Sequence, residues 1–375
     1  MAEPLKNEYS PDFVRRLAKL AADAEPAFDA AGFERAVLDE AWGTMELKAR
    51  TRRVSSLLGQ YLPADYDRAL DILYKIEGGF RGLTHLIFPD FVEQYGLASE
   101  HWERSMEALQ RFTKGSTAEF AVRPFLIREP ERMLRQMAVW AENESEHVRR
   151  LASEGCRPRL PWAQALPAFK KDPAPLLPIL EKLRQDESLY VRKSVANNLN
   201  DIAKDHPGVV IETARRWQGI HPHTDWIIRH GCRTLIRAAD PDIMSLFGYA
   251  DSEEGGPLAD VLAWQVTPER IAIGGQTGLS YRLRVREGES VRLRIEYGIY
   301  FVKASGKTSR KLFLLTDKTS PGGSMIEGAR THRWADLSTR KHYPGEHRVV
   351  LVINGRETAS ALLQLGTGED LLHNQ

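Results

Sequence analysis

The sequence predicts two domains of different class, an all-α solenoid over residues 1–254 and a small all-β sandwich over residues 255–375. Three observations predict it. A helical signature recurs with a changing polar face: VRRLASEGCRPRLPW (148–162) and VRKSVANNLND (191–201) share a Val-Arg start and an apolar stripe, and shorter versions begin at Val122-Arg123 and Ile228-Arg229. Imperfect recurrence at tens of residues is the signature of stacked helical pairs. The texture changes at SEEGGP (252–257), a linker by composition, beyond which short alternating runs are separated by Gly, Pro and Asp. Finally, 375 residues exceed one average domain, and a 42% hydrophobic content supplies a core for each.

Along the chain, Ser10-Pro11 opens a helix before FVRRLAKLAADA, because a serine side chain can accept a free N–H of the first turn and proline fits there. MELKARTRRVSSLLGQYLP runs amphipathically until Pro63 stops it. Further helices fit DYDRALDILYKIE, FPDFVEQYG, HWERSMEALQRFT, PERMLRQMAVWAENE, PLLPILEKLRQD and GVVIETARRWQGI. In the unit that starts at Val191, the stripe Val191, Val195, Leu199 and Ile202 is predicted to be buried, with Lys193, Asn197, Asn200, Asp201 and Lys204 on the opposite stripe. In the preceding unit Val148, Leu151, Ala152 and Gly155 form the packing side. Past the linker, YRLRVRE, SVRLRIEYGIYF, RKLFLLTD and HRVVLVING read as half-buried strands. Arg282, Arg284 and Arg286, and again Arg292 and Arg294, alternate, so one sheet face is expected to be basic. GGQTG (274–278) reads as a turn cluster rather than a nucleotide loop, since a strand context follows it.

The formal net charge of +1 selects no class of partner, but it is unevenly spread. Residues 256–375 hold 17 Lys and Arg against 12 Asp and Glu, whereas residues 1–255 hold 35 against 39. Two cysteines, Cys156 and Cys232, build neither a disulfide framework nor a four-ligand zinc site, which points to a reducing compartment. The start MAEPLKNEYS has no apolar targeting core, and no apolar run reaches the roughly 18 residues of a membrane helix, so a cytoplasmic protein with no membrane partner is expected. His221 and His223 are the one close histidine pair and have no third ligand nearby, so neither metal nor other cofactor is expected. Cys156 adjoins Arg157 but is expected as a small buried hydrophobe rather than a nucleophile.

The polar faces of the repeated units carry the candidate chemistry. Arg150, Glu154 and Arg157 fall together at i, i+4 and i+7, so stacked units would line up cationic faces with an acid in each, a groove suited to phosphate backbones. The plainer reading of each residue is a solvated helix face, with Glu154 in an ordinary intrahelical ion pair. Glu119 has two readings as well, since Ser116-Thr117-Ala118-Glu119 matches a capping box. Trp162 follows Pro158 and Pro161 and should occupy a rigid turn, where an indole either anchors one helical pair on the next or lays its face against a cationic base or sugar. In the second domain, KASGKTSRK (303–311), with Lys307, Arg310 and Lys311, and ARTHRW (329–334), with Arg333, suit phosphate or a minor groove. A face kept soluble by charge is the alternative.

Several ordered stretches carry a family resemblance: FPDFVEQYG (88–96), HWERSMEALQRFTKGSTAEFAVRPFL (101–126), RRLASEGCRPRLPW and VRKSVANNLNDIAK. They resemble the bacterial alkylpurine DNA glycosylases of the AlkC type, which are built on HEAT-like repeats and in one branch carry a C-terminal immunoglobulin-like domain. The resemblance implies a HEAT-like solenoid, an immunoglobulin-like sandwich, and excision of cationic alkylated bases such as 3-methyladenine and 3-methylcytosine from double-stranded DNA without base flipping. It places the active-site groups at Glu119 in TAEFAVRP, Glu154 in ASEG, Trp162 in RLPW and Asp201 in NNLND, with no departure from the family pattern there. Arg150 and Arg157 would contact DNA or position the acids, and Lys193, Lys204, Lys307, Arg310, Lys311 and Arg333 would bind DNA. The residue types suit the reaction: a carboxylate against C1′ stabilises an oxocarbenium-like sugar and orients water, while a base that is already cationic needs no general acid to leave. A monomer suffices for this. The competing expectation is a non-catalytic HEAT-repeat protein that binds DNA or serves as a protein scaffold.

Overall fold

The computed structural model describes residues 3–249, 256–337 and 340–367. The chain divides into two compact units, Met1–Gly231 and Cys232–Gln375. The boundary expected at 254/255, and linker residues 252–255 with it, lie outside the described residues. The division at Gly231 assigns two further helices to the second unit, a difference from the compositional boundary.

The first unit holds α1 (Pro11–Ala24), α2 (Ala30–Val37), α3 (Leu47–Tyr61), α4 (Tyr66–Ile76), α5 (Ile87–Tyr95), α6 (Trp102–Phe112), α7 (Val122–Arg128), α8 (Pro130–Trp140), α9 (Glu146–Glu154), α10 (Pro167–Lys171), α11 (Leu177–Lys182), α12 (Leu189–Ile202), α13 (Pro207–Trp217) and α14 (Pro222–Gly231). Their starts follow from the local chemistry. The Ser10 hydroxyl accepts from the Phe13 N–H at 3.2 Å with Pro11 in the first turn of α1, and Asp65 caps α4 through the Arg68 N–H at 2.9 Å. α3 ends at Tyr61, just before Pro63.

The recurring Val-Arg signature has a structural cause. In both α9 and α12 the valine, Val148 or Val191, is fully buried. The arginine that follows turns back onto the preceding loop. Arg149 Nη1 donates to the carbonyls of Asn143 and Glu144 at 2.9 and 2.8 Å, and Arg192 Nη1 donates to those of Asp186 and Glu187 at 2.9 and 2.8 Å. The loop itself closes in the same way twice, the Ser145 N–H donating to Asn143 Oδ1 at 2.9 Å and the Ser188 N–H to Asp186 Oδ1 at 2.8 Å. One turn design therefore sets the entry of both helices, which pack against each other.

On α12, Val191, Val195, Leu199 and Ile202 are buried, as the spacing predicts. The opposite stripe is not uniformly solvated: Lys193 and Lys204 are exposed, but Asn200 and Asp201 are buried. α12 is covered by α9, α13 and α14 on several sides, so its buried arc is wider than a single amphipathic face.

In the second unit, α15 (Arg233–Ala238) and α16 (Pro241–Leu246) precede β1 (Ala259–Thr267), β2 (Arg270–Ala272), β3 (Gln276–Val285), β4 (Val291–Val302), β5 (Thr308–Ser320), β6 (Met325–Arg333), β7 (Gly345–Ile353) and β8 (Arg356–Gly366). The strands form a three-stranded sheet, β1-β3-β6, and a five-stranded sheet, β2-β8-β7-β4-β5, antiparallel except for the short β2–β8 pair. Alternate residues of the strands face the core: Leu283 and Val285 from β3 meet Leu293 and Ile295 from β4 and Leu351 and Ile353 from β7 in one cluster, and Trp334 sits with Ile299, Phe301 and Leu363 in another. The helices are tied to the strands, since the Tyr249 hydroxyl donates to Asp317 at 2.6 Å and Arg292 Nη1 to the Phe247 carbonyl at 2.9 Å. The alternating arginines do not form one basic face. Arg282 and Arg284 project from β3 in the smaller sheet, whereas Arg292 and Arg294 lie on β4 in the larger one, half-buried beside Asp317 and Glu296.

Candidate active site

Glu119, Arg150, Glu154, Arg157 and Asp201 form one string of alternating charges along the first unit. Arg150 on α9 pairs with Glu119 at 2.8 Å and with Glu154, one turn on, at 3.5 Å. Arg157, just beyond the end of α9, donates to Glu154 Oε1 at 2.6 Å and to Asp201 Oδ2 at 2.9 Å. Lys204, one turn after Asp201, takes its other oxygen at 2.9 Å. Glu154 is the hub, because a single oxygen receives both guanidinium groups.

The capping box does not form. α7 begins at Val122 with Ala121 before it and no side-chain cap, so Glu119 lies outside any helix. Its carboxylate accepts from the Thr117 hydroxyl at 2.9 Å and faces Arg150. The Arg150 guanidinium also covers the Tyr190 ring, 4.5 Å from its centroid, which fixes it between the two glutamates.

Burial grades along the string. Arg157, Glu154 and Asp201 are buried, while the Lys204 side chain retains 42% exposure. Burial works against the charge on Arg157, but the carboxylates of Glu154 and Asp201 outweigh it and hold the guanidinium proton more tightly than usual. Arg157 is thus committed to positioning two acids. Behind it, the Cys156 thiol is fully buried and pushed up to about 12 by that burial, so it stays a protonated, inert packing group.

Trp162 lies between α9 and α10, outside both helices, and its side chain is 65% exposed. Its backbone has φ +63°, the left-handed region that side chains with a Cβ rarely adopt, so the loop has to be held from outside. Two cations hold it. Arg123, buried on α7, donates through Nε to the Gln164 carbonyl at 2.6 Å and through Nη1 to those of Gly155 and Arg157 at 3.0 Å each. Burial draws the Arg123 guanidinium down to about 10. Lys48 on α3 donates to the Trp162 carbonyl and sits over the Phe120 ring, 4.6 Å from its centroid. Trp162 and Thr117, the neighbour of Glu119, line one cavity, which links the indole to the string of acids.

Of the remaining residues named from sequence, Lys193 is exposed on α12, and Lys307, Arg310, Lys311 and Arg333 are exposed in the second unit. Arg310 is bound to Glu357 at 2.8 Å. Sequence reasoning missed Lys48, Thr117, Arg123 and Tyr190. Arg123 stood in view as part of a Val-Arg pair and Thr117 inside the capping-box match at Glu119; nothing local marked Lys48 or Tyr190.

Two family models match the chain, one described as a DNA alkylation repair enzyme over residues 97–234 and one as the C-terminal Ig-like domain of the uncharacterised protein YhaZ over residues 260–367. Glu119, Glu154, Trp162 and Asp201 all fall within the first match. The chain is 46% identical over 351 residues to the uncharacterized protein YhaZ of Bacillus subtilis (strain 168), covering 94% of this chain and 96% of that protein. Among solved structures it is similar to the Pseudomonas fluorescens alkylpurine DNA glycosylase AlkC bound to DNA containing an abasic site analog, with a TM-score of 0.91 and 36% identity over 97% of this chain and 100% of that one.

Proposed function

The chain belongs to the family of AlkC-type alkylpurine DNA glycosylases, and from that premise we propose that it excises cationic alkylated bases, 3-methyladenine and 3-methylcytosine, from duplex DNA in base excision repair without flipping the nucleotide. The observation that carries this reading is the alternation Glu119–Arg150–Glu154–Arg157–Asp201, with an exposed indole held beside it.

An N-glycosidic bond to a positively charged base breaks with cationic character developing at C1′, and the leaving base carries its own electrophilic push. Carboxylates preorganised by arginines oppose that charge and orient the water. Glu154, bound by two guanidiniums, holds the site. Glu119, with one arginine partner, and Asp201, whose second oxygen is held by the half-exposed Lys204, act at the sugar and the water. Phosphates of the duplex compete for Arg150 and Lys204, which loosens the two acids as the substrate docks. Trp162 lays its face against the deoxyribose or the modified base. The exposed cations of the second unit, Lys307, Arg310, Lys311 and Arg333, add contacts to the phosphate backbone.

The experiment is release of free 3-methyladenine and 3-methylcytosine from methylated duplex DNA, followed by chromatography. Release above the spontaneous rate supports the enzyme; tight binding of the same duplex with no release identifies a DNA-binding protein without catalysis.

A further inference from the structure

Arg150 and Arg157 each serve two carboxylates, but they are not held equally. Arg157 is buried and meets Glu154 and Asp201 at 2.6 and 2.9 Å. Arg150 is only half-buried, with one close acid, Glu119 at 2.8 Å, and a more distant one, Glu154 at 3.5 Å. Of the two, Arg150 is the cation that a docking phosphate can draw away. Its loss would matter most to Glu119, which has no other ion-pair partner among the described residues.

Tyr190 supplies a further restraint. It is the second residue of α12, where its N–H donates to the Ser188 hydroxyl at 3.2 Å, so the start of the helix fixes its backbone. From there its ring reaches two side chains one turn apart on α9. It meets the His147 ring in a T-shaped contact, with centroids 5.8 Å apart and planes at 70°, and it lies under the Arg150 guanidinium, 4.5 Å from its own centroid. Burial raises the Tyr190 phenol above its ordinary value; Arg150 opposes the shift, and Glu119 and Glu154 add to it. The ring under Arg150 is therefore neutral, and the contact is that of a cation with a π face rather than with a phenolate. The Tyr190 hydroxyl has no hydrogen-bond partner among the described residues, so the ring makes the link to the string of charges.

We propose that Tyr190 is a positioning residue for excision: its ring limits how far Arg150 leaves Glu119 when phosphates of the duplex compete for that cation, so that the acid is loosened without being displaced from the sugar and its water. Tyr190 acts through Arg150 and touches no reacting atom. Arg157 needs no such support, because two close carboxylates already hold it. The role rests on the glycosylase reading above and adds to it a residue from the first turn of α12, eleven positions before Asp201 on the same helix.

The test uses the full-length protein and single-turnover release of 3-methyladenine from methylated duplex DNA, with the Kd for the same duplex measured separately. Tyr190→Leu removes the π face and should slow release about tenfold, as expected for the loss of a partly desolvated cation–π contact, while the Kd changes by less than about twofold. Tyr190→Phe keeps the ring and should restore release to within about twofold of the wild-type rate. In a Glu119→Gln background Tyr190→Leu should cost nothing further, since both substitutions act through one arginine. Tyr190 is exposed, which favours an intact fold; if Tyr190→Leu nevertheless melts early, Tyr190→Met, a longer side chain without a π face, takes its place. Wild-type release without the ring, equal losses in the Phe and Leu variants, or a loss that adds fully to that of Glu119→Gln overturns the positioning role and leaves the glycosylase intact. A wild-type protein that releases no base overturns the glycosylase reading and the role of Tyr190 together.

Discussion

At the scale of single residues the site is defined by how little each acid is free to do alone. Removing one member of a buried ion pair strands its partner, at a cost of about 3–5 kcal/mol, so Asp201→Asn tests stability and chemistry together. Glu119 is the cleaner probe, being less buried and bound to one arginine. Glu119→Gln keeps the shape and an acceptor for Arg150 but removes the charge. Excision should fall about 10²-fold, as expected for the loss of a preorganised electrostatic group. DNA affinity should hold or rise, since a negative charge has left a surface that meets phosphates; single-turnover rates and a salt-dependent binding titration separate the two effects. Trp162 carries a second residue-scale expectation. At φ +63° a Cβ costs roughly 1–2 kcal/mol, which glycine does not incur. Trp162→Gly should therefore unfold at higher denaturant than Trp162→Ala, although both lose the indole and both should lose excision. Equal midpoints for the two variants would mean that the loop relaxes out of the left-handed region.

At the scale of elements, α9 and α12 show why part of the site could be read from sequence and part could not. Glu154 and Arg157 are three positions apart, so the single turn that closes α9, with the Arg157 N–H donating to the Glu154 carbonyl at 3.2 Å, brings them together, and the Val-Arg signature reports a turn that both helices repeat. The Arg157–Asp201 bond spans 44 positions and depends on how α9 packs on α12, which periodicity does not encode. The same packing explains why Asn200 and Asp201 are buried although they lie off the apolar stripe. Longer helices with clear starts, such as α1, α3 and α4, are visible in the sequence, whereas short ones such as α2 and α10 are not, since one or two turns give the spacing too few repeats. Among the strands, β6 and β8 escaped because their outward positions are largely polar and their inward ones few. The α7–α9 approach gives the prediction that belongs here. A Cβ on Gly155 would stand 2.5 Å from Val122 Cγ2 and 3.0 Å from the Leu151 carbonyl. Gly155→Ala must push α7 away from α9, and with it Arg123, whose Nη1 binds the Gly155 carbonyl. A loss of about 1–3 kcal/mol is expected in chemical unfolding, together with weaker excision because the Trp162 loop loses its anchor.

At the scale of the whole molecule, the division at Gly231 decides how the protein should respond to acid. The change of composition near residue 255 marks where helical sequence ends, but α15 and α16 fold with the strands through Tyr249 and Arg292, a pairing that composition cannot reveal. Each unit has its own core and should give its own thermal transition, with a chain truncated after Gly231 identifying that of the first. The two transitions should move in opposite directions between pH 7.5 and 5. In the second unit burial pushes His332 down to about 4 and lowers His342 and His347 as well, so the folded state keeps them neutral. Their contribution is complete above the ordinary histidine value near 6.5 and is lost as pH falls below it, with His332 alone accounting for about 2 kcal/mol at pH 5. In the first unit burial raises Asp90 to about 6, so the folded state binds its proton more readily than the unfolded chain does. Acidification to pH 5 therefore stabilises that unit, by about 1 kcal/mol from Asp90. The lowered carboxyls there, Glu77 and Asp205, lose their contribution only below their ordinary values of 4.5 and 3.8 and leave this window untouched. Calorimetric scans at pH 7.5 and 5 should show the second-unit transition descending while the first holds or rises. His332→Phe, which replaces the imidazole by a ring that cannot charge, should remove most of the descent. Transitions that fall together and ignore this substitution would place the acid response outside the buried imidazoles of the sandwich.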